Sequence, residues 1–185
     1  MKKSAVFFLS LFFVCLAWGQ NSSRSNPKDA EAQFQYGVAY IRNRTVAADV
    51  DKGIYWLKKS AEQGYIPAQT AIGELYYGGI GVHKNYHEAH KWLLVAGENG
   101  DARAQELLGT MYMFGFGVRQ DEKKGVYWYK KAANPNNLSG YYYLGTVYAL
   151  GLGGERRDFS KAKEYFGIGC DAGVQNSCYE YARLN

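Results

Sequence analysis

Three histidines fall within eight residues of one another, at His83, His87 and His90, and invite a metal reading. The spacing argues against it. His87-Glu88-Ala89-His90 is one residue shorter than the His-Glu-x-x-His helix that presents two imidazoles on one face, and no fourth ligand can be named. Ser25-Asn26-Pro27-Lys28 has the spacing of a penicillin-type serine nucleophile and its lysine, but it sits beside a proline in a polar stretch, and neither Ser-Asp-Asn nor Lys-Thr-Gly occurs. Gly-x-Gly turns recur at Gly79-x-Gly81, Gly115-x-Gly117 and Gly151-x-Gly153, without the lysine and hydroxyl that a phosphate loop needs. No catalytic residue, metal or cofactor is assigned.

These residues belong to a repeated unit. Gly37, Gly73, Gly109 and Gly145 are each 36 residues apart, and Tyr40, Tyr76, Tyr112, Tyr148 and Trp56, Trp92, Trp128 keep the same step. A period of this length marks stacked helical hairpins. In the second unit Ala68, Ile72, Leu75 and Tyr76 share one helical face, glycine at 79 and 81 breaks the helix, and a second helix starts near 86. Asn85 and Asp121 are placed as N-caps, Glu88 completes a capping box with Asn85, and Gly64, Gly100 or Asn134-Pro135 ends the second helix. The mid-helix glycine belongs where the second helix crosses too closely for a Cβ. The expected fold is all-α: an α/α solenoid of about four 36-residue helix-turn-helix units at 29–64, 65–100, 101–137 and 138–173, with a capping helix at 174–185. One extra residue enters the loop after Gly153.

Residues 1–19 read as a signal peptide: Lys2 and Lys3, an apolar run from Ala5 to Ala17, and the small-x-small site Ala17-Trp18-Gly19. Residues 20–28 are a polar leader. Cleavage removes two lysines and leaves 20 basic against 17 acidic side chains, a net charge of +3. Scattered charge of that size does not form the single-sign stripe that nucleic acid requires. The expected location is periplasmic or secreted, with no integral membrane segment after cleavage. Asn21, Asn43 and Asn137 head glycosylation-type triplets, which carry little weight beside this bacterial-looking start.

Ala104-Gln105, Leu108-Gly109, Tyr112, Gly115-Phe116-Gly117-Val118, Trp128 and Lys131-Ala132-Ala133, with the same slots filled in units two and four, resemble the SEL-one-like repeat, a relative of the tetratricopeptide repeat. The resemblance implies an adapter that binds a protein or peptide. Gly169-Cys170-Asp171-Ala172-Gly173 through Cys178-Tyr179 resembles the cysteine-rich Hcp subgroup, which pairs cysteines at this separation and includes penicillin binders with weak β-lactamase activity. That implies an alternative, a β-lactamase-like hydrolase, although one unit of four has the pair. Cys170 and Cys178 are the two cysteines left after signal removal, and a disulfide between them is expected; buried thiols or a redox pair are the alternatives.

On the first helix of each unit, Tyr36, Gly37 and Tyr40 mark the core slots, so the opposite side carries the slots of 34, 38 and 41. These hold Phe34, Val38 and Ile41; Thr70, Glu74 and Tyr77; Glu106, Thr110 and Met113; Tyr142, Thr146 and Ala149. The mixture is too apolar for plain solvent exposure. It is the expected partner-binding surface, the alternative being that some of these residues pack between neighbouring helices.

Overall fold

The computed structural model describes residues 28–43 and 47–184. The segments read as signal and leader, with Ser25 and Asn21, lie outside the described residues, apart from Lys28. Within them the chain forms α1 (Ala30–Asn43), α2 (Ala47–Glu62), α3 (Ile66–Gly78), α4 (Tyr86–Glu98), α5 (Ala102–Phe114), α6 (Glu122–Ala132), α7 (Leu138–Leu150), α8 (Phe159–Asp171) and α9 (Gln175–Arg183). Odd-numbered helices up to α7 are the first, or A, helices of their units, and each pairs with the B helix that follows. The last helix packs on α8.

A hairpin closes where the A helix meets glycine. Gly79, Gly115 and Gly151 adopt left-handed φ values of 70–72°, and their amides return to the carbonyls of Leu75, Met111 and Val147. The chain is then pinned a second time: the N-cap amides of Asn85, Asp121 and Asp158 donate to the carbonyls of Tyr76, Tyr112 and Tyr148 at 2.8–2.9 Å. Their side chains accept from the first free amides of α4, α6 and α8. The capping box expected of Glu88 does not form, because Tyr76 already takes the Asn85 amide and the Glu88 carboxylate turns to Lys91 at 2.7 Å.

Inside each hairpin the mid-helix glycine has the expected reason. A Cβ on Gly37, Gly73, Gly109 or Gly145 would lie 2.4–2.8 Å from Leu57, Leu93, Tyr129 or Phe166, the residue of the B helix that crosses it. The three tryptophans hold equivalent places just before these residues, with Trp56 and Trp128 buried and Trp92 half-buried. Tyr40, Tyr76 and Tyr112 cover the core from its edge, and only Tyr148 is buried. Lys52, Lys124 and Lys161 stand over the rings of Tyr40, Tyr112 and Tyr148 at 5.0–5.7 Å, a repeated cation–π lid.

Units join through slots that the period alone does not rank. Gln69 and Gln105 donate to Ala61 and Gly97 carbonyls near the ends of the preceding B helices. Ile72, Leu108 and Leu144 are at most 5% exposed, whereas Tyr36 in the same slot is 40% exposed. Tyr36 was expected in the core; among the described residues no preceding B helix covers it, and it packs edge-on to Tyr40 and Trp56 instead. In the fourth unit the extra residue is taken up by a one-turn 3-10 helix, Leu152–Gly154, with Gly153 and Gly154 both at positive φ.

Cys170 and Cys178 form a disulfide with Cα atoms 4.4 Å apart, tying the end of α8 to α9. Breaking it in a Cys178→Ser variant is expected to lower stability by about 2 kcal/mol, read as a fall in thermal midpoint that reductant reproduces in the wild type and not in the variant.

Candidate functional site

The A helices α3 and α5 touch one another, and α7 touches the final helix α9, which follows it in the same row. Side chains bridge them along one face. Arg103 Nε donates to Glu74 Oε1 at 2.7 Å, linking α5 to α3, and its Nη1 donates to Glu106. Glu106, 3% exposed, also accepts from Ser139 Oγ at 2.7 Å and Asn137 Nδ2 at 3.4 Å, linking α5 to α7. Asn137 further donates to the Ala102 carbonyl, so this triplet asparagine is engaged inside the fold. Contact between A helices puts them on the inner side of the stack.

The residues expected on this side divide into floor and rim. Thr70, Glu106 and Met113 are buried at 3–7% exposure and form floor. Phe34, Val38 and Ile41 pack half-buried on the first core, Phe34 with its ring 5.4 Å from Tyr65. Tyr77 lies edge-on to Tyr86 and Phe116, with Phe114 stacked on Phe116 and 61% exposed. Thr110 shares a 3.0 Å hydrogen bond with the Tyr129 hydroxyl. Tyr129 stacks on Tyr143 at 4.8 Å, and burial pushes both phenols above the ordinary tyrosine range. The face is therefore polar and fixed at its centre and aromatic toward its turn edge.

Tyr142, Thr146 and Ala149, which stand in successive turns of α7, line a pocket of about 250 Å³ together with Phe166 of α8 and Arg183 of α9. Leu150 and Phe159 stand on its rim, each 55% exposed. A large apolar side chain fits such a space, and Arg183 is held beside it by both oxygens of Glu180 at 2.9–3.0 Å. Leu150 and Phe159 escaped the slot argument because they belong to a helix end and the next helix start. Arg103 escaped it too, although its position three residues before Glu106 is the spacing of a helical ion pair.

The histidines expected not to form a metal centre are spread along the turn edge. His90 Nε2 meets the Tyr112 hydroxyl at 3.0 Å, and burial holds its pKa below the usual histidine range, with His87 and Lys124 adding to the effect. Among the described residues no three His, Cys, Asp or Glu side chains are grouped to hold a metal ion, and no helix is long and apolar enough to cross a membrane.

The Sel1 repeat model matches residues 30–65, 66–101, 102–136 and 138–174. Among solved structures, c5321, a protective antigen of uropathogenic Escherichia coli strains displaying an SLR fold, is 34% identical with a TM-score of 0.77 over 84% of this chain and 34% of that one. A Sel1 repeat protein from Oxalobacter formigenes is 28% identical, also with a TM-score of 0.77, over 84% of this chain and 63% of its own. Helicobacter pylori cysteine rich protein B is 26% identical with a TM-score of 0.53, over 70% of this chain and 95% of that one. The chain thus spans about a third of the first relative and under two thirds of the second. No curated protein matches it.

Proposed function

The chain belongs to the Sel1 repeat family, and from that premise we propose that it is an exported scaffold that binds a protein or peptide on the inner face of its A helices. The observation that carries this reading is the pocket at the end of α7. Three slots expected at the partner surface, Tyr142, Thr146 and Ala149, come together there, and two half-exposed apolar side chains, Leu150 and Phe159, rim an unfilled space. A monomeric surface rarely keeps such side chains together without a use. The partner anchors one large apolar side chain in this pocket and lays the rest of its segment along the Tyr77–Thr110–Tyr142 face, where the Arg103–Glu74 pair offers polar contact.

Export is supported by the basic, apolar and small-residue order of the first 19 residues and by the Cys170–Cys178 disulfide, a bond that persists in oxidising compartments. The partner is thus an envelope or extracellular protein: a complex that this scaffold assembles or regulates, or a toxin that it blocks.

A photo-crosslinking benzophenone side chain at Phe159 tests the surface without emptying the core. Cells carrying it are expected to yield a discrete crosslinked partner after irradiation, and the same group at Tyr127, exposed on α6, is expected to yield none. Tyr142→Ala should weaken capture of that partner about tenfold, the effect of losing an aromatic anchor. Equal crosslinking from both positions would remove the inner face as the site. Turnover of a chromogenic β-lactam by the purified chain would replace this reading with the hydrolase alternative.

A further inference from the structure

A cleft of about 850 Å³ lies on the turn edge, where the start of α4, the turn of the third unit and the glycine turn of the fourth meet. Nothing in the inner-face reading uses it. Arg119, Lys123 and Lys124 line it, and among the described residues none of the three forms an ion pair; Lys124 rests over the Tyr112 ring at 5.4 Å. Lys91, Lys130 and Arg183, by contrast, each hold a carboxylate.

The two acids of the cleft are committed to backbone. Asp121 accepts from the Lys124 amide at 3.0 Å, and Glu122 Oε2 accepts from the Gly153 amide at 3.2 Å. Because Asp121 caps α6, the side-chain cations, and not the helix terminus, supply the attraction. His90, bonded to Tyr112, makes a polar floor. Gly117, Gly153 and Gly154 are also in its lining; Tyr86, Val126 and Glu122 take up the space beside the first two, and Gly154 has only the Lys123 side chain near it.

The geometry points to this cleft as a docking groove for an acidic peptide segment, whose carboxylates pair with Arg119, Lys123 and Lys124 while its backbone crosses the turns of the third and fourth units beside the start of α4. The volume far exceeds that of an inorganic anion. Arg119 stands in the turn and Lys123 and Lys124 in the first turn of α6, so the charges come from two segments of the cleft wall. Complementary charge of this kind steers encounter and fixes register.

A fluorescein-labelled hexaglutamate peptide, followed by anisotropy at low salt, is the probe. The wild-type protein is expected to bind it, with affinity falling as sodium chloride rises. Replacing Arg119, Lys123 and Lys124 together by glutamine is expected to weaken binding about tenfold or more, and Arg119→Gln alone about threefold, since each exposed pair contributes modestly. A charge-matched variant, Lys52→Gln/Lys59→Gln/Lys163→Gln, must bind like wild type, and so must Phe159→Ala, which separates this groove from the inner face. Equal loss in the charge-matched variant would reduce the effect to overall charge and overturn the groove. Full retention by the cleft variant, or competition by inorganic phosphate at the probe's own concentration, would overturn it as well.

Discussion

Gly117→Ala is expected to destabilise the chain by about 3 kcal/mol. Two costs add at this position. The residue sits at φ +68°, where an L side chain is strained, and its Cβ would lie 2.5 Å from the carbonyl carbon of Tyr86, at the start of the preceding unit's B helix. Backbone cannot step aside as a flexible side chain can. Gly64→Ala is the control: φ there is +84°, and nothing lies within 4 Å of the added atom, so conformational strain acts alone at about 1 kcal/mol. Denaturant titration of the two variants isolates the contact. If Gly64→Ala and Gly117→Ala cost the same, the second glycine of the turn has no part in joining one unit to the next.

Arg103→Met is expected to cost about 2 kcal/mol, and Glu106→Gln in the same chain to restore most of it. Removing the guanidinium strands a carboxylate that is 3% exposed, and an uncompensated buried charge costs about 3–5 kcal/mol; Arg103 itself is half-exposed, which lowers the figure. Glutamine keeps an acceptor for Ser139 and Asn137 while removing the charge. The four proteins of this cycle, compared by thermal or chemical unfolding, should show a coupling of about 1–2 kcal/mol. Additive losses would mean that Arg103 and Glu106 act independently and that the inner face is not held by them.

The hairpins, their caps and the mid-helix glycines were readable from the sequence because each follows from a residue type at a fixed step. Asn85 and Asp121 cap the helices assigned to them, and Leu93 and Tyr129 close on Gly73 and Gly109 as a bare Cα in a helix implies. What a period does not carry is the distance between one unit and the next. Gly81 and Gly117 read as turn formers, yet each also seats against the preceding unit, on Val50 and Tyr86. Tyr36 shares a slot with Ile72 and Leu108 but not their surroundings. Glu106 occupies a slot that elsewhere holds phenylalanine, threonine or tyrosine; a lone carboxylate among them is the trace left in sequence by Arg103, Ser139 and Asn137.

The candidate surface was legible as a set of slots and not as a shape. Tyr142, Thr146 and Ala149 gather at one pocket because α8 and α9 close around them, whereas Thr70 and Met113 sink between their neighbours. The cleft at Arg119, Lys123 and Lys124 left only a pair of adjacent lysines and an arginine five residues from the second, since it is enclosed by the start of α4 and by turns of two later units.

The first and last of the described helices are fastened differently. A covalent bond fastens α9; on α1, Tyr36 faces solvent, and the first hairpin is secured by side-chain bonds from Ser60 to the Ala30 carbonyl and from Gln63 to Gln33. In a linear array, loss of order begins where the fewest neighbours hold it. Among the described helices the crosslink accordingly keeps α9 on α8 when the noncovalent contacts around it loosen, a covalent restraint that the α1–α2 hairpin does not have.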